Sequence, residues 1–335
     1  MTSPSKPRVR QYAARLNSFR SDGVFGSDVD TKKLGVLGLL ERAAKVPSLN
    51  AVDLNYPDHL EGVELRALKK RLEELNLTVN GLAMRYYSEP GFKLGAFTNP
   101  NPALRLKAID QTKRGIDQML ELGGSLMTLW MGQDGFDYSF QVDYAQLWDW
   151  TLEAMAEVAD HVPSTEISIE YKPNEPRSFS LMPDIGTTLL AINEISRKNV
   201  GVTLDFAHVL YADEMPAYAA SLAARNNKLF GVHLNDGYGK RDDGLMVGTV
   251  HTIQTIELLY VLEKIGYDRA IYFDTFPDIT GLDPVAECSA NIATVESMRT
   301  VVAKLRGDNS LSAAIAKQDA VSSNSIIRKA IFGGA

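Results

Sequence analysis

The chain reads as an α/β protein, a closed barrel of eight parallel strands with a helix after each, that is a (β/α)8 barrel with a C-terminal helical extension. Three observations predict it. Short β-branched or apolar runs alternate with longer amphipathic segments, eight times between about Arg15 and Leu305. No Gly-x-Gly-x-x-Gly turn follows the first strand, as an open dinucleotide-binding sheet usually requires. The 335 residues, 45% of them apolar, suit one large domain with additions.

Strands are expected at Arg15–Phe19, Ala51–Asn55, Thr78–Arg85, Leu126–Met131, Ile167–Lys172, Val200–Phe206, Leu229–Asn235 and Ala270–Thr275. Runs such as Val-Gly-Val-Thr-Leu and Ile-Ser-Ile are nearly continuous in β-formers, as in parallel strands covered on both sides. Helices lie between them. Over Val63–Leu75 the residues Leu65, Leu68, Leu72 and Leu75 recur at helical spacing, and over Leu104–Leu122 so do Leu106, Ile109, Ile116 and Leu120. Gly123-Gly124 ends the second of these, and Pro183 and Pro216 stand near helix starts, where proline is tolerated. Residues 1–14 read as a lead-in and 15–308 as the barrel. Residues 309–335, rich in Ser and Ala with an apolar end at Ile326–Phe332, read as an extra helix or an oligomer contact.

With 35 Lys+Arg against 42 Asp+Glu the net charge is −7, which disfavours nucleic acid as a partner. The single cysteine, Cys288, cannot close an internal disulfide. Nothing at the N-terminus resembles a charged segment followed by a long apolar run, and charges interrupt every candidate membrane helix. A cytoplasmic compartment is expected.

Ligands of such barrels bind at the carboxyl ends of the strands, so the polar residues there are read first. Strand five ends in Glu170-Tyr-Lys172, strand six in Asp205-Phe-Ala-His208, strand seven in His233-Leu-Asn235-Asp236 and strand eight in Asp274-Thr275. Glu170, Asp205, His233 and Asp274 are separated by 35, 28 and 41 residues, each about one β/α repeat, so they share one rim. A lone carboxylate or imidazole there is commonly a helix cap or a solvated group. Three carboxylates converging would repel each other unless a cation neutralises them, and a carboxylate and imidazole set without thiolate suits Mn²⁺, Mg²⁺, Co²⁺ or Zn²⁺. Asp205-x-x-His208 and the loop carrying Asp242 and Asp243 suggest a second ion, although that loop also reads as a solvated Gly-rich turn. Lys172 sits two residues after Glu170 and therefore on the same side of its strand, which favours the pocket over a surface salt bridge. Trp130 is a candidate stacking surface for a sugar, and Arg85 and Arg177 are candidate hydroxyl donors.

Taken together, Glu-x-Lys at Glu170, Asp-x-x-His at Asp205, His233 with its acidic pair, and Asp274 resemble the L-rhamnose isomerase branch of the xylose isomerase-like TIM barrels. The likeness is densest over Glu170–Pro277 and includes Glu-Tyr-Lys-Pro-Asn-Glu-Pro-Arg. It implies a structural metal held by Glu170, Asp205, His233 and Asp274, and a catalytic one held by Asp205, His208 and Asp242 or Asp243. It also implies that Lys172 approaches the sugar's terminal oxygens. His59, which follows strand two, is the candidate for the family's sugar-ring histidine, or else a polar loop residue.

The expected reaction is aldose–ketose isomerisation, a hydrogen moving between C1 and C2 of an open-chain sugar while the hydroxyl proton is taken with the help of Asp242 or Asp243. Hydride-shift and enediol routes both remain open. The expected assembly is a homo-oligomer, a tetramer or dimer. Rival readings are a ketose 3-epimerase, which usually carries Glu at strand eight, and the barrel subunit of a lyase acting on C-glycosides. More distant are an endonuclease, which needs more histidines than the five present, and a non-catalytic sugar-binding protein.

Overall fold

The computed structural model describes residues 10–21 and 34–333. Eight parallel strands close into a barrel in sequence order: β1 (Tyr12–Arg15), β2 (Ala51–Tyr56), β3 (Thr78–Met84), β4 (Leu126–Leu129), β5 (Glu166–Glu170), β6 (Val200–Asp205), β7 (Leu229–Leu234) and β8 (Ile271–Phe273). β8 returns to β1 with Tyr12 opposite Ile271, which closes the ring. Helices α1 (Val36–Ala43), α2 (Leu65–Glu74), α3 (Pro102–Glu121), α4 (Tyr144–His161) and α5 (Ile185–Ile195) alternate with the strands. They are followed by α6 (Phe206–Tyr211), α7 (Pro216–Arg225), α8 (Thr252–Lys264), α9 (Pro277–Thr280) and α10 (Pro284–Arg306). Two more, α11 (Asn309–Ala316) and α12 (Ala320–Phe332), follow the barrel, with contacts between α12 and α10. No helix among the described residues is long and apolar enough to cross a membrane.

Local chemistry fixes the ends. The side chains of Asn101 and Asp283 accept backbone N–H groups ahead of Pro102 and Pro284, so α3 and α10 start with an N-cap and a proline in the first turn. Gly123 has φ +84 just past α3, the left-handed turn that lets the chain reverse into β4.

The barrel strands alternate. Val200, Val202 and Leu204 belong to the large apolar core shared with the helices, whereas Gly201, Thr203 and Asp205 point into the barrel. Ile167 and Ile169 likewise face outward, between Ser168 and Glu170. The runs that read as nearly continuous in β-formers thus carry a two-residue period, with glycine, threonine and serine on the inner face. Inside, Ser168 shares hydroxyl hydrogen bonds with Thr203 at 2.6 Å and Thr128 at 3.3 Å, and Asp53 accepts from Asn80 at 2.8 Å.

One element departs from expectation. β1 occupies Tyr12–Arg15, three residues before the predicted Arg15–Phe19, and Leu16–Arg20 form a 3-10 helix instead. Leu16 and Phe19 are fully buried, so this apolar pair packs under a turn and does not extend a strand. β1 therefore begins within the segment read as a lead-in, and residues 1–9 of that segment lie outside the described residues.

Candidate active site

Alternation through all eight strands brings one inward residue from each to the carboxyl rim: Arg15, Asn55, Arg85, Trp130, Glu170, Asp205, His233 and Asp274. All but Asp205, which is sealed beneath, line a cavity of about 210 Å³, together with Lys172, His208, Asp242, Tyr272 and Phe276 and, from the β3 side, Ala83, Met84 and Tyr87.

Glu170, Asp205, His233 and Asp274 each offer one donor atom, and these atoms all lie within 4.8 Å of one another. His233 Nδ1 is 3.2 Å from Glu170 Oε1 and 3.9 Å from Asp205 Oδ2. Asp274 Oδ1 is a buried acceptor with no hydrogen-bond partner, 3.6 Å from the Arg15 guanidinium. Burial and the neighbouring carboxylates push Asp274 up to about 7, while Asp205 is also raised, chiefly by burial. Burial opposes protonation of His233, but the charge and hydrogen bond of Glu170, with Asp274 and Asp205, together outweigh it and lift the imidazole to about 9. Three converging carboxyl groups, two of them raised, an orphaned oxygen and a carboxylate and imidazole donor set without thiolate fit a divalent cation.

Asn235 fixes one of these donors. Its side-chain amide donates to both oxygens of Asp205, at 3.1 and 3.0 Å, and to the main-chain oxygen of Asp274, while its carbonyl accepts from Ala207 N. Asp205 in turn caps α6 by accepting from His208 N at 3.0 Å, which is how Asp-x-x-His places both side chains at the rim.

His208 Nδ1 lies 3.0 Å from the Tyr171 carbonyl, which leaves Nε2 facing Asp242 Oδ2, also at 3.0 Å. Lys172 Nζ donates to the same oxygen at 3.2 Å, makes an ion pair with Glu175 at 2.9 Å and lies 5.3 Å from the centre of the Trp130 ring. Burial works against the charge of Asp242, yet His208 and Lys172 hold it well below the usual carboxylate range; Lys172 is raised by Asp242 and Glu175 despite its own burial. Asp242 Oδ1 has no partner. Among the described residues the compact donor cluster is the first set; of the expected second set, Asp205, His208 and Asp242 or Asp243, the residues His208 and Asp242 are instead hydrogen-bonded to each other, with Lys172 on the same Asp242 oxygen.

Several candidates fall elsewhere. Asp243 turns away from the cavity, accepting from Tyr238 N and Arg241 Nε, both at 2.8 Å, so the cavity receives Asp242 alone of the pair. His59 is not a cavity residue: its Nδ1 accepts from Asn55 N at 3.0 Å and its Nε2 meets Asn17 at 2.8 Å. Burial and nearby arginines lower it to about 3, so it is a neutral core imidazole that fixes the loop after β2. Arg177 is tied to Asp137 at 2.9 Å and to the Lys93 carbonyl, beside the loop after β4 rather than the cavity. Arg85 and Trp130 do line it. The sequence reading missed Arg15, Asn55, Tyr272 and Phe276. For Arg15 the signal was present but lay at the wrong end of a misplaced strand.

A family model described as a xylose isomerase-like TIM barrel matches residues 43–296. A xylose isomerase of Thermus thermophilus is 32% identical over 216 residues, 63% of this chain and 56% of that protein, so the match spans little more than half of the relative. A D-allulose 3-epimerase from Methylomonas sp., solved in complex with D-allulose, superposes with a TM-score of 0.67 at 16% identity, over 89% of this chain and all of that one. An L-ribulose 3-epimerase gives 0.66 at 17% identity over 97% of this chain and 98% of the other. At these identities the likeness of structures concerns the fold.

Proposed function

The chain belongs to the xylose isomerase-like TIM barrel family, and on that premise we propose that it is a divalent-metal-dependent aldose–ketose isomerase acting on a small open-chain sugar. The observation that carries the reading is a proton donor and a proton acceptor, Lys172 and Asp242, 3.2 Å apart beside the Glu170–Asp205–His233–Asp274 cluster. When bound at that cluster, a divalent ion, Mn²⁺ being the first to try, draws electron density from a sugar's adjacent carbonyl and hydroxyl oxygens and makes the hydroxyl more acidic.

Asp242, kept ionised by His208 and Lys172, accepts the O2 proton through its free Oδ1. Lys172 stays protonated and holds the developing charge on O1 by hydrogen bonding, then supplies the proton O1 requires once hydrogen has moved from C2 to C1. Transfer from Asp242 back to Lys172 along their hydrogen bond restores both groups. Trp130 and Phe276 give the cavity two aromatic walls.

Inversion at C3, the epimerase alternative, needs a base on each face of the carbon. The carboxylates lining the cavity, Glu170, Asp242 and Asp274, come from β5, the loop after β7 and β8. Ketose 3-epimerases usually carry Glu at strand eight, and the shorter arm of Asp274 at that place supports the isomerase reading. The test is incubation with pentoses, hexoses and deoxysugars in Mn²⁺, followed by NMR. Aldose–ketose exchange that is lost on Lys172→Met and Glu170→Gln is expected. Inversion at C3, or activity that requires an added subunit, would overturn the assignment.

A further inference from the structure

The rim of the barrel divides into two chemically opposite halves. β5 to β8 present acceptors and the cation-binding cluster. β1 to β4 present Arg15, Asn55, Arg85 and Trp130, all capable of donating from a side-chain nitrogen.

Three of these four donors are unsatisfied. Asn55 Nδ2, Arg85 Nε and Trp130 Nε1 are buried atoms with no hydrogen-bond partner, and Asn55 as a whole is only 4% exposed. Buried N–H groups are rarely left so, and three lining one cavity mark the place of a ligand that brings acceptors. A neutral sugar would serve Asn55 and Trp130, because hydroxyls accept as well as donate.

Charge separates the two arginines. Arg15 is matched by Asp278 at 2.8 Å and Asp274 at 3.6 Å. Arg85 has no carboxylate within 4.0 Å among the described residues, and its guanidinium lies over the Tyr87 ring at 4.3 Å, a contact that orients it without neutralising it. Burial, with Arg15 nearby, works against its charged form and outweighs the support of Asp58 and Asp274, which lie beyond ion-pair distance. A largely desolvated cation with no carboxylate at ion-pair distance among the described residues is costly, and an anionic group placed against it lowers the cost. The guanidinium fork fits the paired oxygens of a carboxylate or phosphate.

Building on the isomerase reading, we propose that the substrate is an acidic sugar whose anionic terminal group, carboxylate or phosphate, is received by Arg85 and Asn55, across the cavity from Lys172. The two ends of the chain are then told apart: the reacting carbonyl goes to the β5–β8 half and the anionic end to the β1–β4 half. Specificity follows from the empty donors, since a neutral sugar of the same shape leaves the Arg85 charge unanswered.

The test uses the Mn²⁺-loaded full chain and matched ligands, namely D-galactose with D-galacturonate, and D-glucose with D-glucuronate and D-glucose 6-phosphate. Binding is measured by calorimetry and conversion by NMR, for the wild type, Arg85→Met and Arg85→Lys. Expected is at least one acid bound roughly tenfold or more tightly than its neutral counterpart. That ratio should collapse toward one in Arg85→Met, recover in part in Arg85→Lys and shrink as salt is raised. A preference for uronate identifies a carboxylate, and one for the 6-phosphate a phosphate. The proposal is overturned if no acid binds more tightly than its neutral partner, or if Arg85→Met weakens acidic and neutral sugars equally. Failure of the isomerase reading is a separate result, because it appears as absence of C1–C2 exchange for every ligand while the binding ratios still report on Arg85.

Discussion

Replacing Asp274 by Asn should stabilise the protein without metal and remove most of the stabilisation that metal gives. The side chain keeps its volume, its Oδ1 has no hydrogen bond to lose, Asn235 holds only its main-chain oxygen, and Arg15 retains Asp278. In the metal-free protein the carboxyl is moved from 3.8 to about 7. A group raised in the fold contributes fully only below its unfolded value, and the contribution is lost as pH rises through about 7. Above that pH the ionised Asp274 costs on the order of 4 kcal/mol from the shift alone, and roughly 2–4 kcal/mol once some solvent access is allowed for. With chelator at pH 8, Asp274→Asn should therefore unfold at higher denaturant than the wild type, and the gap should close toward pH 4. With Mn²⁺ at a hundred times its Kd the wild type gains about 2.7 kcal/mol, and the variant, lacking one ligand, gains little. Denaturant unfolding in chelator and in Mn²⁺ reads both arms. A variant no more stable than the wild type in chelator at pH 8, or equally stabilised by Mn²⁺, refutes the crowding argument.

The protonation states predict that binding one ion near pH 6 releases about two protons, from His233 at about 9 and Asp274 at about 7, and near pH 8 about one; calorimetry in buffers of different ionisation enthalpy counts them, and a pH-independent release contradicts the cluster. Asn235→Leu should weaken Mn²⁺ binding by roughly 10–100-fold, because Asp205 loses the amide that orients it, and a change under twofold would show that Asn235 is a packing residue. Lys172→Met should lower kcat by roughly 10²-fold or more while the affinity for the first ion stays within a few-fold, and parallel loss of both would make Lys172 structural. Gly244 has φ +56, and a Cβ there would run into the Phe276 ring, so Gly244→Ala should shift the Asp242 loop and reduce kcat, with Mn²⁺ affinity at the first cluster kept.

The half of the barrel from β5 to β8 was readable because each strand couples a short β-forming run to a ligand-type residue at its carboxyl end. The spacing of Glu170, Asp205, His233 and Asp274 then carries the geometry. β1 was not readable. Tyr-Ala-Ala-Arg lacks the β-branched signature, while Leu16-Asn-Ser-Phe-Arg has an apolar pattern that the fold uses for a 3-10 turn. The three-residue offset put Arg15 at the amino end of its strand and so hid it from the site. His59 shows the opposite limit, since a histidine after a strand looks like a ligand until its two nitrogens are traced to Asn55 N and Asn17. Choosing between Asp242 and Asp243 depended on a single residue of loop register, which the hydrogen bonds of Asp243 to Tyr238 N and Arg241 decide.

The cation at the β5–β8 rim is tested most directly by soaking crystals in Mn²⁺ and collecting anomalous diffraction at the manganese edge. One strong peak coordinated by Glu170, Asp205, His233 and Asp274 is the predicted result. A featureless map at those four side chains, with the ion bound elsewhere or not at all, would contradict it.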